Sequence, residues 1–573
     1  MAESGPRGLF AGPCTATQRT MVMLQIDSSP SCASRMRDAG PTACLMLLIA
    51  GLACYRFTLI DAGHFFWGDE QRYLVAEAVV DDLAAGDYRS ALARPYTCAG
   101  RPGFVFVSVI PVLLQRVVCG WARIGRDALH YYDIVSGISA VITLGITVCL
   151  FALGRVWTRS GWYGLMIAGT YSLLCHANVW IRHLMPYYGA LLMFLASLWL
   201  VSSEPRSERQ AARRASAAGL LSAAGHACYP GYYAFVAINL VVLLAASRRR
   251  ARALLWFAGS SAAVFVALEI LARFAGTSYL RDILATTGTC HISVQGWRRE
   301  GFVFAWRYLR DVEGAIGVVL FVLFLGFVGG VLWRRAARLS TATRAALGAA
   351  VACYLLHASL SVFAERTAFY GRILGMYLPL LTGGAVLGLI HLRRTRIRRL
   401  AVCGVMMASC WSFVTFARQY ARVTYPADLL ARTMAEKGRA VTYPPNALLV
   451  NEGNIPDRPI ESVDPHLVMV VDTCPEGFVE GIFLVSHEAA RTSGARFIGV
   501  NFKYMSYIWE KDHRFSPSDN YRIIAEAIHP NAFPATGYEG RRPWERRRLR
   551  QRRYAMRLYE RTDGPAPAAL TSR

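Results

Sequence analysis

Asp69 and Glu70 are adjacent carboxylates in the stretch Trp67-Gly68-Asp69-Glu70-Gln71-Arg72-Tyr73, directly after the first long apolar run of the chain. Arg94 and Arg101 follow in the same hydrophilic segment, and Arg182, His183, Tyr187 and Tyr188 flank a later turn. His226, Tyr229, Tyr232 and Tyr233 surround Pro230-Gly231, and Glu365, Arg366, Tyr370 and Arg372 open a late apolar run. A carboxylate within hydrogen-bond reach can accept a proton from an attacking hydroxyl or amine, worth ~10²–10⁴-fold in rate. Fixed arginines can hold negative charge that builds on a leaving phosphate. One base and several cations on the same side of a membrane predict a cavity with a general base and cationic phosphate contacts. Each residue alone also has a structural use. Asp69 or Glu70 can cap a helix N-terminus, and Tyr and Arg favour membrane interfaces as anchors.

The elements that position these residues are membrane helices. The chain has 573 residues, 54% of them hydrophobic, with long apolar segments recurring from 42 to 416. Such apolar length predicts a polytopic helical membrane protein. The net charge of +25 comes mostly from arginine in short loops between apolar runs. The preference of positive loops for the cytoplasmic side explains this better than nucleic acid does. The fourteen cysteines show no metal-ligand spacing. Cys44, Cys54, Cys149, Cys175, Cys353 and Cys403 fall inside apolar runs and are expected to be small buried hydrophobes. Cys98, Cys290 and Cys474 are expected outside the membrane.

Residues 1–41 form a polar tail whose arginines keep it in the cytoplasm, with no cleavable signal peptide evident. The first span, 42–60, delivers the loop 61–132 to the outside. Within it, 71–84 has helical periodicity. Leu74, Val75, Ala78, Val79 and Leu83 share one face and Arg72, Glu77, Asp81 and Asp82 the other, as in a helix lying on the membrane surface. The apolar run 104–118 is ambiguous. If it does not cross, all five later arginine-rich loops face the cytoplasm; if it crosses, all five face outward. It is therefore expected to dip into or lie along the outer leaflet. The remaining spans are expected at 133–153, 162–180, 187–201, 216–230, 232–247, 253–272, 313–332, 345–363, 372–391 and 400–416, about eleven crossings in all. Residues 418–573 then lie outside. Short β-like runs at 447–450 and 467–471 and helical patterns at 427–437 and 518–529 predict a small C-terminal α/β domain. The arginine-rich stretch at 541–553 suits a solvated face or contact with anionic head groups.

Asp69-Glu70-Gln71-Arg72-Tyr73, followed by Arg101-Pro102-Gly103-Phe104, resembles the first external loop of the GT-C glycosyltransferases. The protein mannosyltransferase and lipid A aminoarabinose transferase branches are the most similar. The resemblance covers 42–417 in layout and these short motifs in detail. It implies a GT-C-like transmembrane domain that moves a sugar from a polyprenyl-phosphate donor, with inversion, onto an envelope glycan, lipid or protein at the outer face of a bacterial inner membrane. It implies Asp69 as the residue that acts as base or orients the acceptor, and Arg101 at the donor phosphate, where the family has lysine; Glu70 is expected to orient Asp69 or to cap the helix. Arginine keeps the charge but brings a planar fork. Tyr73, Arg94, Arg182, His183, Tyr187, Tyr370 and Arg372 are the further expected substrate contacts. The family often has another Asp after the third span; here Arg182-His183-Leu184-Met185-Pro186 carries no carboxylate. No metal, cofactor or nucleic acid is expected.

Two rival readings stay open. A transporter or flippase of a lipid-linked glycan should show ionisable residues or broken helices at mid-membrane, in paired halves. Glu269 is the one acidic residue well inside an apolar run, and no paired halves are evident. A non-catalytic envelope assembly protein would tolerate loss of Asp69.

Overall fold

In a bilayer, backbone N–H and C=O groups find no water, so a spanning chain must satisfy them within helices. The computed structural model describes residues 32–60, 71–97, 101–124, 133–182, 186–289, 301–332, 339–364, 371–392, 394–420, 467–470, 497–502, 520–529 and 554–562. It is an α-helical membrane protein. Six helices among these residues are long and apolar enough to cross: Ala39–Ile60, Pro102–Ala122, Asp133–Thr158, Arg250–Phe274, Thr341–Val362 and Thr395–Arg418. Shorter apolar helices cover Tyr187–Ser202, Pro230–Ala246, Ala315–Gly330 and Leu378–Ile390.

The chain opens with α1 (Cys32–Ile60), α2 (Gln71–Ala84), α3 (Tyr88–Ala93) and α4 (Pro102–Ala122). Next come α5 (Asp133–Thr158), α6 (Gly161–Ser172), α7 (His176–Val179), α8 (Tyr187–Ser202), α9 (Glu208–Cys228), α10 (Ala234–Ala246) and α11 (Arg250–Phe274). Then follow α12 (Tyr279–Thr289), α13 (Gly301–Tyr308), α14 (Ala315–Gly326), α15 (Thr341–Val362), α16 (Gly371–Leu374), α17 (Leu378–Ile390) and α18 (Thr395–Tyr420). The expected spans 162–180 and 372–391 are not continuous helices. The first divides into α6 and the single turn α7, the second into α16 and α17.

Inside the bundle, helices associate through small and polar side chains, since lipid removes the hydrophobic drive between apolar surfaces. Ser197 of α8 donates to the Ala218 carbonyl and lies 2.9 Å from Ser222 Oγ, both on α9. Asn239 of α10 donates to both serines, at 2.9 and 3.0 Å. Three helices are joined by one amide and two hydroxyls.

The acidic face of α2 is not turned to water. Arg116 of α4 donates to Asp81 at 2.7 Å and to the Glu77 carbonyl, and Gln115 donates to Glu77. Asp82 takes two bonds from Arg94. Val79 is buried as expected, but Leu83 of the same expected face is exposed, and Ala76 and Val80 are buried with Val79. The charges of α2 serve to fasten the next helix.

Both ends of α4 lie at one end of the bundle. At its start, a Cβ on Gly103 would stand 2.7 Å from the Ala227 backbone, so only glycine allows this approach to the end of α9. At its other end, Cys119 is close enough to Asp133, the first residue of α5, to feel its charge. That end of α5 packs on the end of α1, with Phe57 and Ile60 beside Gly137. Arg56, near the same end of α1, reaches Asn178, and the ring contacts from Trp180 to Tyr187 to Tyr229 lead back to α9. Val105, Ser108, Val112, Gln115 and Cys119 form the buried seam of α4. Ile110, Leu114, Val117 and Trp121, the last 86% exposed, form an opposite apolar face suited to lipid.

In the C-terminal part, β1 (Leu467–Val470), β2 (Phe497–Phe502), β3 (Tyr521–His529) and β4 (Tyr554–Arg561) form one sheet in the order β1-β2-β4-β3. β1 and β2 are parallel, while β4 runs antiparallel to β2 and β3. The helix expected at 518–529 is instead strand β3. Its β-branched Ile523, Ile524 and Ile528 favour the pleated sheet, and a register shift between Ile523 and Ala525 absorbs the residue that breaks the alternation. The expected elements at 427–437 and 447–450 and the basic stretch at 541–553 lie outside the described residues. Cys98, Cys290 and Cys474 do too. Of the cysteines expected to be buried, Cys175 is, but Cys54 and Cys403 are exposed on the bundle surface, where an apolar thiol suits lipid as well as a core.

Thr97 and Arg123 flank α4 and are exposed. Cysteines placed at these two positions should react with a membrane-impermeant maleimide from the same side of sealed vesicles. Labelling from opposite sides would make α4 a crossing.

Candidate functional site

Two arginines far apart in the chain meet on one pair of tyrosines. Arg101, the residue before α4, places its guanidinium 4.9 Å from the ring centre of Tyr229. Tyr229 packs edge-on against Tyr187, with centroids 4.7 Å apart. Arg372 of α16 donates to Tyr187 Oη at 2.7 Å and lies over the rings of Tyr187 and Trp180, at 5.6 and 6.0 Å. An aromatic face attracts a guanidinium through its quadrupole, more strongly when both are desolvated.

Local backbone explains the placement. Tyr229 follows α9 in extended conformation (φ −147°, ψ 91°) and leads into a 3-10 turn, Pro230–Tyr232. Its ring therefore leaves the α9 axis toward α4. Tyr232 packs edge-on against it at 4.8 Å. Tyr233 departs to another cluster, where its hydroxyl lies 2.6 Å from His357 Nδ1 and the two rings stack. Tyr187 is the first residue of α8, behind Pro186.

Trp180 reaches this cluster because the chain leaves helical geometry after Ser172. The break is held from several sides. Both oxygens of Glu313 are committed there, Oε2 to the N–H of Cys175 at 2.8 Å and Oε1 to that of His176 at 3.0 Å. Glu313 ends a π-helical turn, Leu309–Glu313, between α13 and α14; such turns aim side chains that a regular helix would misplace. His176 Nδ1 lies 3.1 Å from Tyr308 Oη. Tyr188 Oη donates to the His176 carbonyl and accepts from the Trp180 N–H. Asn178 donates to the carbonyls of Ser172 and Leu174, and Arg56 of α1 donates to Asn178 Oδ1 at 3.1 Å. A Cβ on Gly375, just after α16, would collide with His176 Nε2. The two broken helices thus meet face to face.

Of the expected site residues, Arg101, Tyr187 and Arg372 come together, and Arg182 is fully buried in the segment after α7. Arg94 is engaged elsewhere. It makes a two-pronged bond to Asp82, at 2.8 and 3.3 Å, and that carboxylate holds its pKa above the ordinary value. Tyr73 lies in the first turn of α2. Asp69, Glu70, His183 and Tyr370 lie outside the described residues. Glu269 is not an isolated charge within a span. It sits near the end of α11, accepting from Arg273, Ser278 and the Leu280 N–H. The deeply buried acid is Glu313. Neither Glu313 nor Arg56 stands out in the sequence, because each lies at the edge of an apolar run, where a charge is ordinary. Among the described residues, no three His, Cys, Asp or Glu side chains gather as a metal site.

Gly375→Ala should destabilise the protein by about 1–3 kcal/mol through the clash with His176, measured by unfolding in detergent. Gly348→Ala, at an uncrowded position inside α15, should instead be neutral or stabilising by up to about 1 kcal/mol.

No protein-family model matches this chain, and no curated protein does.

Proposed function

We propose that the protein is a membrane glycosyltransferase that moves a sugar from a polyprenyl-phosphate donor to an envelope acceptor (a glycan, a lipid or a protein) outside a bacterial inner membrane. The observation that carries this reading is the convergence of Arg101 and Arg372 on Tyr187 and Tyr229. In this reading the two guanidinium groups take the donor phosphate, and Tyr187 orients Arg372. The leaving group is a phosphate monoester, already a fair one, so it needs fixed positive charge more than an acid. Asp69 accepts the proton of the acceptor hydroxyl or amine as it attacks the anomeric carbon, Glu70 orients it, and direct displacement inverts that centre. The prenyl tail runs between helices in apolar contact.

The topology that goes with this reading sets α4 along the outer face. Then α1, α5, α6 with α7, α8, α9, α10, α11, α14, α15, α17 and α18 make about eleven crossings, and the arginine-rich loops fall on the cytoplasmic side. The C-terminal sheet belongs to an extramembrane α/β domain on the side of the acceptor.

One observation favours a transporter as the second reading: a buried carboxylate beside two broken helices, as carriers often have. Against it, both oxygens of Glu313 already accept backbone N–H groups, which suits a fixed cap better than a site that loads and releases an ion.

The test compares envelope glycans and lipid-linked sugars by mass spectrometry in cells with wild-type protein, Asp69→Asn or none. The variant should match the deletion, with one sugar missing from an acceptor and its lipid carrier accumulating. A variant matching wild type would sink the transferase reading. Arg101→Ala should weaken donor use far more than Arg101→Lys, and equal effects would make Arg101 an anchor. Tyr187→Phe removes a hydrogen bond to a charged group and should raise the donor KM about tenfold.

A further inference from the structure

We infer that Arg56 and Glu313 act together as a clamp on the turn between α6 and α8, and so position Trp180 beside Arg372. This rests on the proposed function only for what the cluster binds.

Both groups are buried, Arg56 at 1% exposure and Glu313 at 1%. Neither forms an ion pair among the described residues. A buried charge is strongly unfavourable unless hydrogen bonds satisfy it, and here the turn supplies them. The two charges approach one short segment from opposite elements, Arg56 from α1 and Glu313 from the turn before α14. Glu313 takes the N–H groups of Cys175 and His176. Arg56 takes Asn178, which in turn holds the carbonyls of Ser172 and Leu174. One charge thus satisfies donors and the other, through an amide, satisfies acceptors of the same unwound turn. Tyr171, the penultimate residue of α6, is fully buried and feels the charge of both groups. Two residues beyond Asn178, Trp180 presents its ring to Arg372 and Tyr187. A displaced turn would displace that ring. Arg56 and Glu313 act on Trp180 through the turn that carries it, so they are positioning residues.

The experiment is a double-mutant cycle on the full-length protein in detergent, with Arg56→Met, Glu313→Gln and the pair. Each single variant frees the turn on one side and should melt about 10 °C lower, and because both residues hold the same turn the double variant should lose clearly less than the sum of the two. Arg56→Lys keeps the charge and should stay nearer wild type than Arg56→Met, which guards against a variant that simply fails to fold. The positioning role is read by ¹⁹F NMR of 5-fluorotryptophan-labelled protein, with the signal of position 180 identified by its loss in Trp180→Phe. That signal should move in both single variants and in the double. Affinity for farnesyl phosphate should fall at least about tenfold in the singles and fall less than additively in the double, as expected when one site residue is misplaced by both. Additive losses of stability, or a Trp180 signal unmoved in the singles, would overturn the clamp. If wild-type protein binds no prenyl phosphate, the phosphate-donor reading fails, and the melting and NMR cycle still decides the clamp.

Discussion

A helix broken inside a bilayer bares N–H groups that lipid cannot satisfy. The gap between α6 and α7 is where this constraint bears hardest on the structure. Glu313 answers it with two carboxylate oxygens for two amides, and much of the surrounding architecture follows. The π-helical turn before α14 exists where Glu313 must reach sideways. Tyr308 and Tyr188 close the remaining polar groups around His176. Gly375 leaves room for that imidazole beside the second broken helix. A regular α6 would have carried the chain on past the aromatic cluster; the break turns Trp180 into it.

A tyrosine face attracts a guanidinium through its quadrupole. Arg101 and Arg372 each rest on such faces. Arg94 and Arg116 illustrate the opposite use. Their partners are Asp82 and Asp81, and they fasten α2 to its neighbours. The same residue type is bonded to carboxylates in one place and set against aromatic rings in another.

Much of this architecture was legible in the sequence. The periodicity over 71–84 marks α2 residue for residue, and apolar length marks α5, α8, α10 and α15 within a few residues. Arg101, Tyr187 and Arg372 were legible as site candidates because polar residues at the ends of apolar runs are few enough to notice. What stayed hidden depends on tertiary contact. No local signal announces the break after Ser172, since the carboxylate that permits it is more than a hundred residues away. The acidic face of α2 looks like a solvated face until Arg116 is known to lie against it. Strand β3 misleads because Tyr521–His529 contains residues at both helical and alternating spacings, and its partner β4 settles the matter. Glu269 drew attention by its depth in an apolar run, but a turn of chain from Ser278 to Leu280 folds back to meet it.

The geometry of α4 also has a mechanical side. With both ends at one end of the bundle and an apolar flank ending in Trp121, it would occupy area in a single leaflet. A helix of 21 residues, about 30 Å long and 10 Å wide, covers roughly 300 Å², the footprint of several lipids, with no counterpart in the other leaflet. Such an inclusion behaves as a wedge. It sits most comfortably where its monolayer is stretched or convex, and it is squeezed where lipids are tightly packed. In the topology proposed above Arg101 would stand at the root of that wedge, and the lateral pressure of the leaflet would reach the cation cluster through it.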